Sequence, residues 1–157
     1  MDNIIMTKIY SIINCKSYRE VSAKLGISEH KLKDVCCGKK NRSFKLKEVS
    51  LTAKNLGISE AELLGLSLGD LSFSDFIADY LAKLTEGCVS ENDKYRKLAT
   101  HLAPMRIDRK EDDRIQNISK STVLKMLDKT KLAEFTLREI CNTFAQDDNF
   151  IKIVALI

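Results

Sequence analysis

The 157-residue sequence has no tryptophan, one proline and only six glycines, and aromatic residues make up 6% of it. With so few chain breakers and little β-branched alternation, the chain is expected to be nearly all helix. Its cores must be built from Leu, Ile, Val, Ala and Phe. There is no C-x-x-C pair, and the histidines are His30 and His101 alone. Five cysteines, Cys15, Cys36, Cys37, Cys88 and Cys141, form an odd set with no paired framework. That usage points to a reducing, cytoplasmic setting. His30 with Cys36 and Cys37 lacks the ligand number and spacing of a structural zinc site, so no metal is expected. The N-terminus carries Asp2, and Lys8 interrupts its apolar residues, so neither a signal peptide nor a membrane span is expected. No Gly-rich phosphate loop, His-Glu helix pair or nucleophile beside a base is present. An enzyme, a catalytic residue and a cofactor are therefore not expected.

What the sequence does have is an uneven distribution of charge. The net charge is +4. Residues 1–70 hold 12 basic against 8 acidic side chains, and residues 71–157 hold 14 against 14. Between Lys16 and Lys47 the balance is 10 basic to 3 acidic. Such a window is either a solvated lysine-rich face or the electrostatic footprint of a nucleic-acid surface.

The pattern inside that window separates the two readings. Residues 18–25 read as a short amphipathic helix with Val21 and Leu25 inward. Residues 29–37 read as a second, with Leu32, Val35 and Cys36 inward. Between them Gly26 ends one helix through a left-handed backbone, and Ser28 caps the next. Two helices around a tight Gly-containing corner form a helix-turn-helix. Residues 3–14 supply a covering helix with Ile5, Ile9, Ile12 and Ile13 inward. A basic loop follows at 38–44, then a helix over 45–56 with Leu46, Val49 and Ala53 inward, and a short one over 60–66.

This stretch resembles the lambda-repressor/Cro-like (xenobiotic-response-element) DNA-binding domains. The residues that carry the resemblance are Leu25-Gly26-Ile27-Ser28 at the corner, Gly38-Lys39-Lys40 with Asn41-Arg42-Ser43 after the second helix, Leu56-Gly57-Ile58-Ser59, and Glu62-Leu63-Leu64. It covers residues 4–66 and implies five helices, the third entering the DNA major groove. Carried over by position, the base-contacting residues are Glu29, His30, Lys31 and Lys33. The phosphate-contacting residues are Tyr18, Arg19, Lys39, Lys40, Asn41, Arg42 and Lys45. The family usually has Gln where this chain has Tyr18.

Residues 67–74 loosen the pattern, with a turn signal at Gly69-Asp70. The expected division is a domain over 1–68 and a second over 74–157. Shifting the chain by 91 positions lays 118–151 over 27–60 without a gap. Ile118-Ser119 falls on Ile27-Ser28, Val123 and Met126 on Leu32 and Val35, and Phe135, Leu137 and Glu139 on Phe44, Leu46 and Glu48. Ile140 and Thr143 fall on Val49 and Thr52. Upstream the shift is 77, placing Tyr95-Arg96, Leu98 and Leu102 on Tyr18-Arg19, Val21 and Leu25. Seven of 34 positions are identical, which reads as a tandem duplication or as chance likeness between helical segments.

The expected fold is thus all-α, with two tandem lambda-repressor-like helix-turn-helix domains of about five helices each. The second carries an insert near 103–116, which reshapes the turn, covers the helix or clamps a minor groove. Its helices are expected at 74–85 (Ser74 as cap), 91–103, 119–127, 136–145 and 149–157. A candidate second DNA site comprises Tyr95, Arg96, Lys120, Ser121, Thr122 and Lys125. The apolar last helix serves either its own core or a contact to the first domain or a second subunit, which would make a homodimer. The function expected is a sequence-specific DNA-binding transcriptional regulator, repressor-like and of phage or bacterial type, whose partner is double-stranded DNA. The alternative is a protein-interaction or antitoxin-like module on the same scaffold.

Overall fold

The computed structural model describes residues 1–14, 17–39, 42–102, 105–106, 115–116 and 119–154, with 105–106, 115–116 and 154 described by backbone alone. Among these the chain is mostly helical. The first half holds α1 (Asp2–Ile12), α2 (Tyr18–Leu25), α3 (Glu29–Cys36), α4 (Leu46–Leu56) and α5 (Glu60–Leu64). The second holds α6 (Phe73–Leu84), α7 (Glu91–Ala99), α8 (Lys120–Leu127), α9 (Lys129–Leu132), α10 (Leu137–Thr143) and α11 (Asp148–Val154). Between α7 and α8, β1 (Met105–Arg106) pairs antiparallel with β2 (Ile115–Gln116). The expected insert is therefore entered and left through a short ribbon, and residues 103–104 and 107–114 lie outside the described residues. No described helix is long and apolar enough to cross a membrane.

Apolar spacing sets the core of each half. Ile5, Met6 and Ile9 of α1 cover Val21 and Leu25 of α2, Leu32 and Val35 of α3, and Leu46, Val49 and Ala53 of α4. Two expected core positions are not buried. Ile12 is 42% exposed because the helix ends there and Ile13 takes the inward place. Cys36 is exposed because Val35 fills the core position and the next residue turns about 100° away from it. In the second half Phe73, Ile77 and Leu81 of α6 meet Leu98, Leu102, Val123, Met126, Leu137 and Ile140. The cap of α6 is Ser72, not Ser74, since Phe73 is buried and belongs inside the helix. Helix α9 was not foreseen. Asp128 nucleates it by accepting from the amides of Thr130 and Lys131 at 2.9 and 3.4 Å.

Five of the pairs placed together by the 91-residue shift are buried in both halves. Leu32 and Val123, Val35 and Met126, Leu46 and Leu137, Val49 and Ile140, and Thr52 and Thr143 are all buried. Helices α4 and α10 both open with a glutamate that accepts from the cap amide, Glu48 from Lys45 and Glu139 from Thr136, and only Thr136 returns the bond, accepting from the Glu139 amide at 3.1 Å.

The halves meet where those two helices begin. Lys45 lies directly opposite Thr136 in an antiparallel bridge. The Leu46 amide donates to Phe135 O at 2.9 Å, and the Leu137 amide donates to Phe44 O at 2.8 Å. A second tie comes from the connecting segment, where Leu66 and Leu68 are buried. There Glu60 accepts from the Phe73 amide at 2.6 Å and also bonds Ser50. The segment that loosened in the sequence is thus packed.

Candidate nucleic-acid interface

The corner between α2 and α3 is built from local chemistry. Ser17 caps α2 by accepting from the Glu20 amide at 3.3 Å. Gly26 follows α2 at φ +70°, where any Cβ is strained and would also meet Leu51 at 3.4 Å. Ser28 accepts from the Lys31 amide at 3.2 Å and so starts α3. Asn55 of α4 donates to Leu25 O at 2.9 Å, which ties the corner to the core.

Burying Leu32 and Val35 turns the opposite side of α3 to solvent. Glu29, His30 and Lys33 are exposed there. Lys31 is not with them: its side chain is 15% exposed and pairs with Glu48 at 3.0 Å, toward α4. Arg19 is exposed at the first turn of α2. Tyr18 is half-buried, and its hydroxyl is hydrogen-bonded to Cys36, which raises its pKa to about 12.

Sequence reading passed over Asp34, which organises the cations beside this face. It is 3% exposed and accepts from Lys39 Nζ at 2.5 Å, with His30 Nε2 at 3.3 Å and Arg42 Nε at 3.4 Å. The hydrogen bond from Lys39 holds its carboxyl below the usual range, against the opposing effect of burial. The Lys39 amide also donates to Asp34 O at 3.1 Å, folding the loop back onto the helix end. The spacing of His30 to Asp34, one helical turn, was the available signal. Lys40 and Asn41 lie outside the described residues. Lys45 and Lys47 both bond Glu134 of the second half, Lys45 at 2.8 Å. The two ammonium groups hold the Glu134 carboxyl at about 2, and Glu134 in turn raises Lys45.

In the second half, Ser119 caps α8 by accepting from the Thr122 amide at 3.2 Å. Lys120, Ser121 and Lys125 are exposed, Thr122 is half-buried, and Lys120 bonds Asn92 of α7. Tyr95 is half-buried against the core and Arg96 is exposed. Beside α8 runs an open groove of about 690 Å³. Among the described residues, Lys94, Lys120, Lys125 and Lys131 line it together with the acids Glu91 and Asp128 and the apolar Leu124 and Leu127. Lys94 and Lys131 reach this groove from α7 and α9, which the spacing of residues along α8 does not show. No cluster able to hold a metal occurs among the described residues.

What the arrangement offers chemically is hydrogen-bond donors and positive charge on exposed helix faces. No protein-family model, curated protein or solved structure matches the chain.

Proposed function

We propose that the protein is a sequence-specific DNA-binding transcriptional regulator of repressor type. In this reading, residues 1–68 and 74–157 are tandem lambda-repressor-like helix-turn-helix domains. Helix α3 enters the major groove with Glu29, His30 and Lys33 at base edges. Arg19, Lys39, Arg42 and the undescribed Lys40 and Asn41 meet phosphates. The observation that carries the reading is the exposed, capped start of α3 on a corner fixed by Gly26 and Ser28, flanked by a cationic loop. Base-edge contacts decide sequence and phosphate contacts decide affinity, so the two kinds of residue separate experimentally.

The test compares Lys33→Ala with Arg42→Ala in the full chain. On a selected duplex Lys33→Ala should cost roughly 1–3 kcal/mol and relax preference at one base position. Arg42→Ala should weaken binding to all duplexes alike and lower the salt slope by about one. Equal losses on every sequence from both variants would reject readout by α3.

One observation favours a second reading. Lys31, Lys39, Arg42 and Lys45 are each paired with a carboxylate of the protein itself. A helix-turn-helix whose cations are internally neutralised suits a protein-interaction or antitoxin-like module. That module would show no salt-dependent duplex binding.

A further inference from the structure

We infer that the chain is a covalent pseudo-dimer, in which one molecule presents both halves of a two-half-site DNA reader about an internal two-fold axis. This rests on the DNA-binding reading proposed above. The axis is visible in the bonds that join the halves. Leu46 N to Phe135 O and Leu137 N to Phe44 O are the same bond written twice, because 46 and 137, and 44 and 135, each differ by 91. The residues facing each other across the bridge, Lys45 and Thr136, differ by 91 as well. One antiparallel pairing supplies both bonds; what singles this pairing out is that it falls on positions 91 apart, and the third bond, Lys47 N to Ala133 O at 3.0 Å, is answered by Arg138 N to Ser43 Oγ rather than to a backbone oxygen.

The flanking side chains repeat the relation. Ser43 accepts from the Arg138 amide at 3.1 Å, and its equivalent Glu134 bonds the side chain of Lys47, the equivalent of Arg138. Each half thus uses one position to hold the start of the other half's helix. The self-association surface of each half is consequently occupied by its sister in the same chain. Tethering supplies an effective concentration on the order of millimolar, so no second molecule is needed to complete the pair.

The place of the axis fits a duplex reader. The two-fold axis relating directly opposed residues of an antiparallel pair stands normal to the pair. Arg42 and Lys39, the proposed phosphate contacts, stand three and six residues before Lys45 in the chain. The two readers are not alike. Helix α3 offers Glu29, His30 and Lys33, whereas α8 offers Lys120, Ser121 and Leu124 at the equivalent positions. The half-sites must then differ in sequence, and the operator is not a palindrome.

The test uses the full chain and a randomised duplex pool of about 30 bp, about three helical turns. Selection should yield two unlike half-sites spaced about 10–10.5 bp centre to centre. Native mass spectrometry of the selected complex should give one chain per duplex. Lys33→Ala should relax only one half-site, and Lys120→Ala only the other, each by roughly tenfold or more in discrimination. A two-chain complex on a palindrome would overturn the pseudo-dimer while leaving the DNA reading in place. So would a one-chain complex with a single half-site indifferent to Lys120→Ala. Absence of binding to any pool member at low salt would overturn both together.

Discussion

Asp34 is a carboxylate buried beneath Lys39, Arg42 and His30, on the helix proposed to read DNA. Its depressed pKa means that its contribution to stability is fully present above the ordinary aspartate value of 3.8 and is lost as pH falls through the lower folded value. Asp34→Asn should therefore lower Tm at pH 7 and flatten the acid side of the stability curve. Thermal unfolding followed by circular dichroism from pH 7 to 2 checks both, and a variant with the parent's Tm and acid profile would show that the cluster adds nothing. At this scale the sequence was partly legible. Helical spacing found Leu32 and Val35, but it also assigned Cys36 and Ile12 to the core. Both lie at the last turn of a helix, where the inward stripe has drifted and a neighbour, Val35 or Ile13, takes the buried place.

At the scale of elements, one of the two caps read from the sequence holds, Ser28, while Ser74 gives way to Ser72. Ser28, Ser59, Ser119 and Thr136 all accept from an amide three residues on, and each precedes an apolar-periodic run. The structure places α9 where sequence reading had no signal. Its four residues are Lys129, Thr130, Lys131 and Leu132, and only Leu132 is buried, too short a run to show a period. The long connection from α7 to α8 was legible as an excess of 14 residues between two phases of the repeat. Its ribbon was not, because two-residue strands carry no alternation. Since α3 depends on Ser28 for its first turn, Ser28→Ala should cost about 1 kcal/mol. For a chain of this size that is a fall in Tm of roughly 2–4 °C, measurable by calorimetry. A shift below the error of the scan would mean that packing alone defines the helix start.

For the molecule as a whole, the junction is the feature that periodicity could not reach. The sequence lays 118–151 over 27–60 as a duplication or a chance likeness, and five of the paired apolar and threonine positions are buried in both halves, while buried Asp34 and Ser43 fall opposite exposed Lys125 and Glu134. It did not show that the two copies pair through equivalent residues, because contacts 91 residues apart leave no trace in a single chain's spacing. Glu134 braces that junction through Lys45 and Lys47. Held at about 2, its carboxylate supports the junction above the ordinary value of 4.5 and ceases to as pH falls through about 2. Glu134→Gln should then reduce hydrogen-exchange protection of the Leu46 and Leu137 amides at pH 7, with less change in the two cores. Equal loss in the cores would show that the halves unfold as one unit.

The central claim, that this molecule binds duplex DNA, is tested most directly by fluorescence anisotropy of the full chain with a generic labelled duplex across a salt series. The account predicts binding at low salt and a log–log slope near −0.9 for each phosphate neutralised, steep enough to reflect several contacts. A chain that leaves the duplex unbound at low salt, or binds it with affinity indifferent to salt, would contradict it.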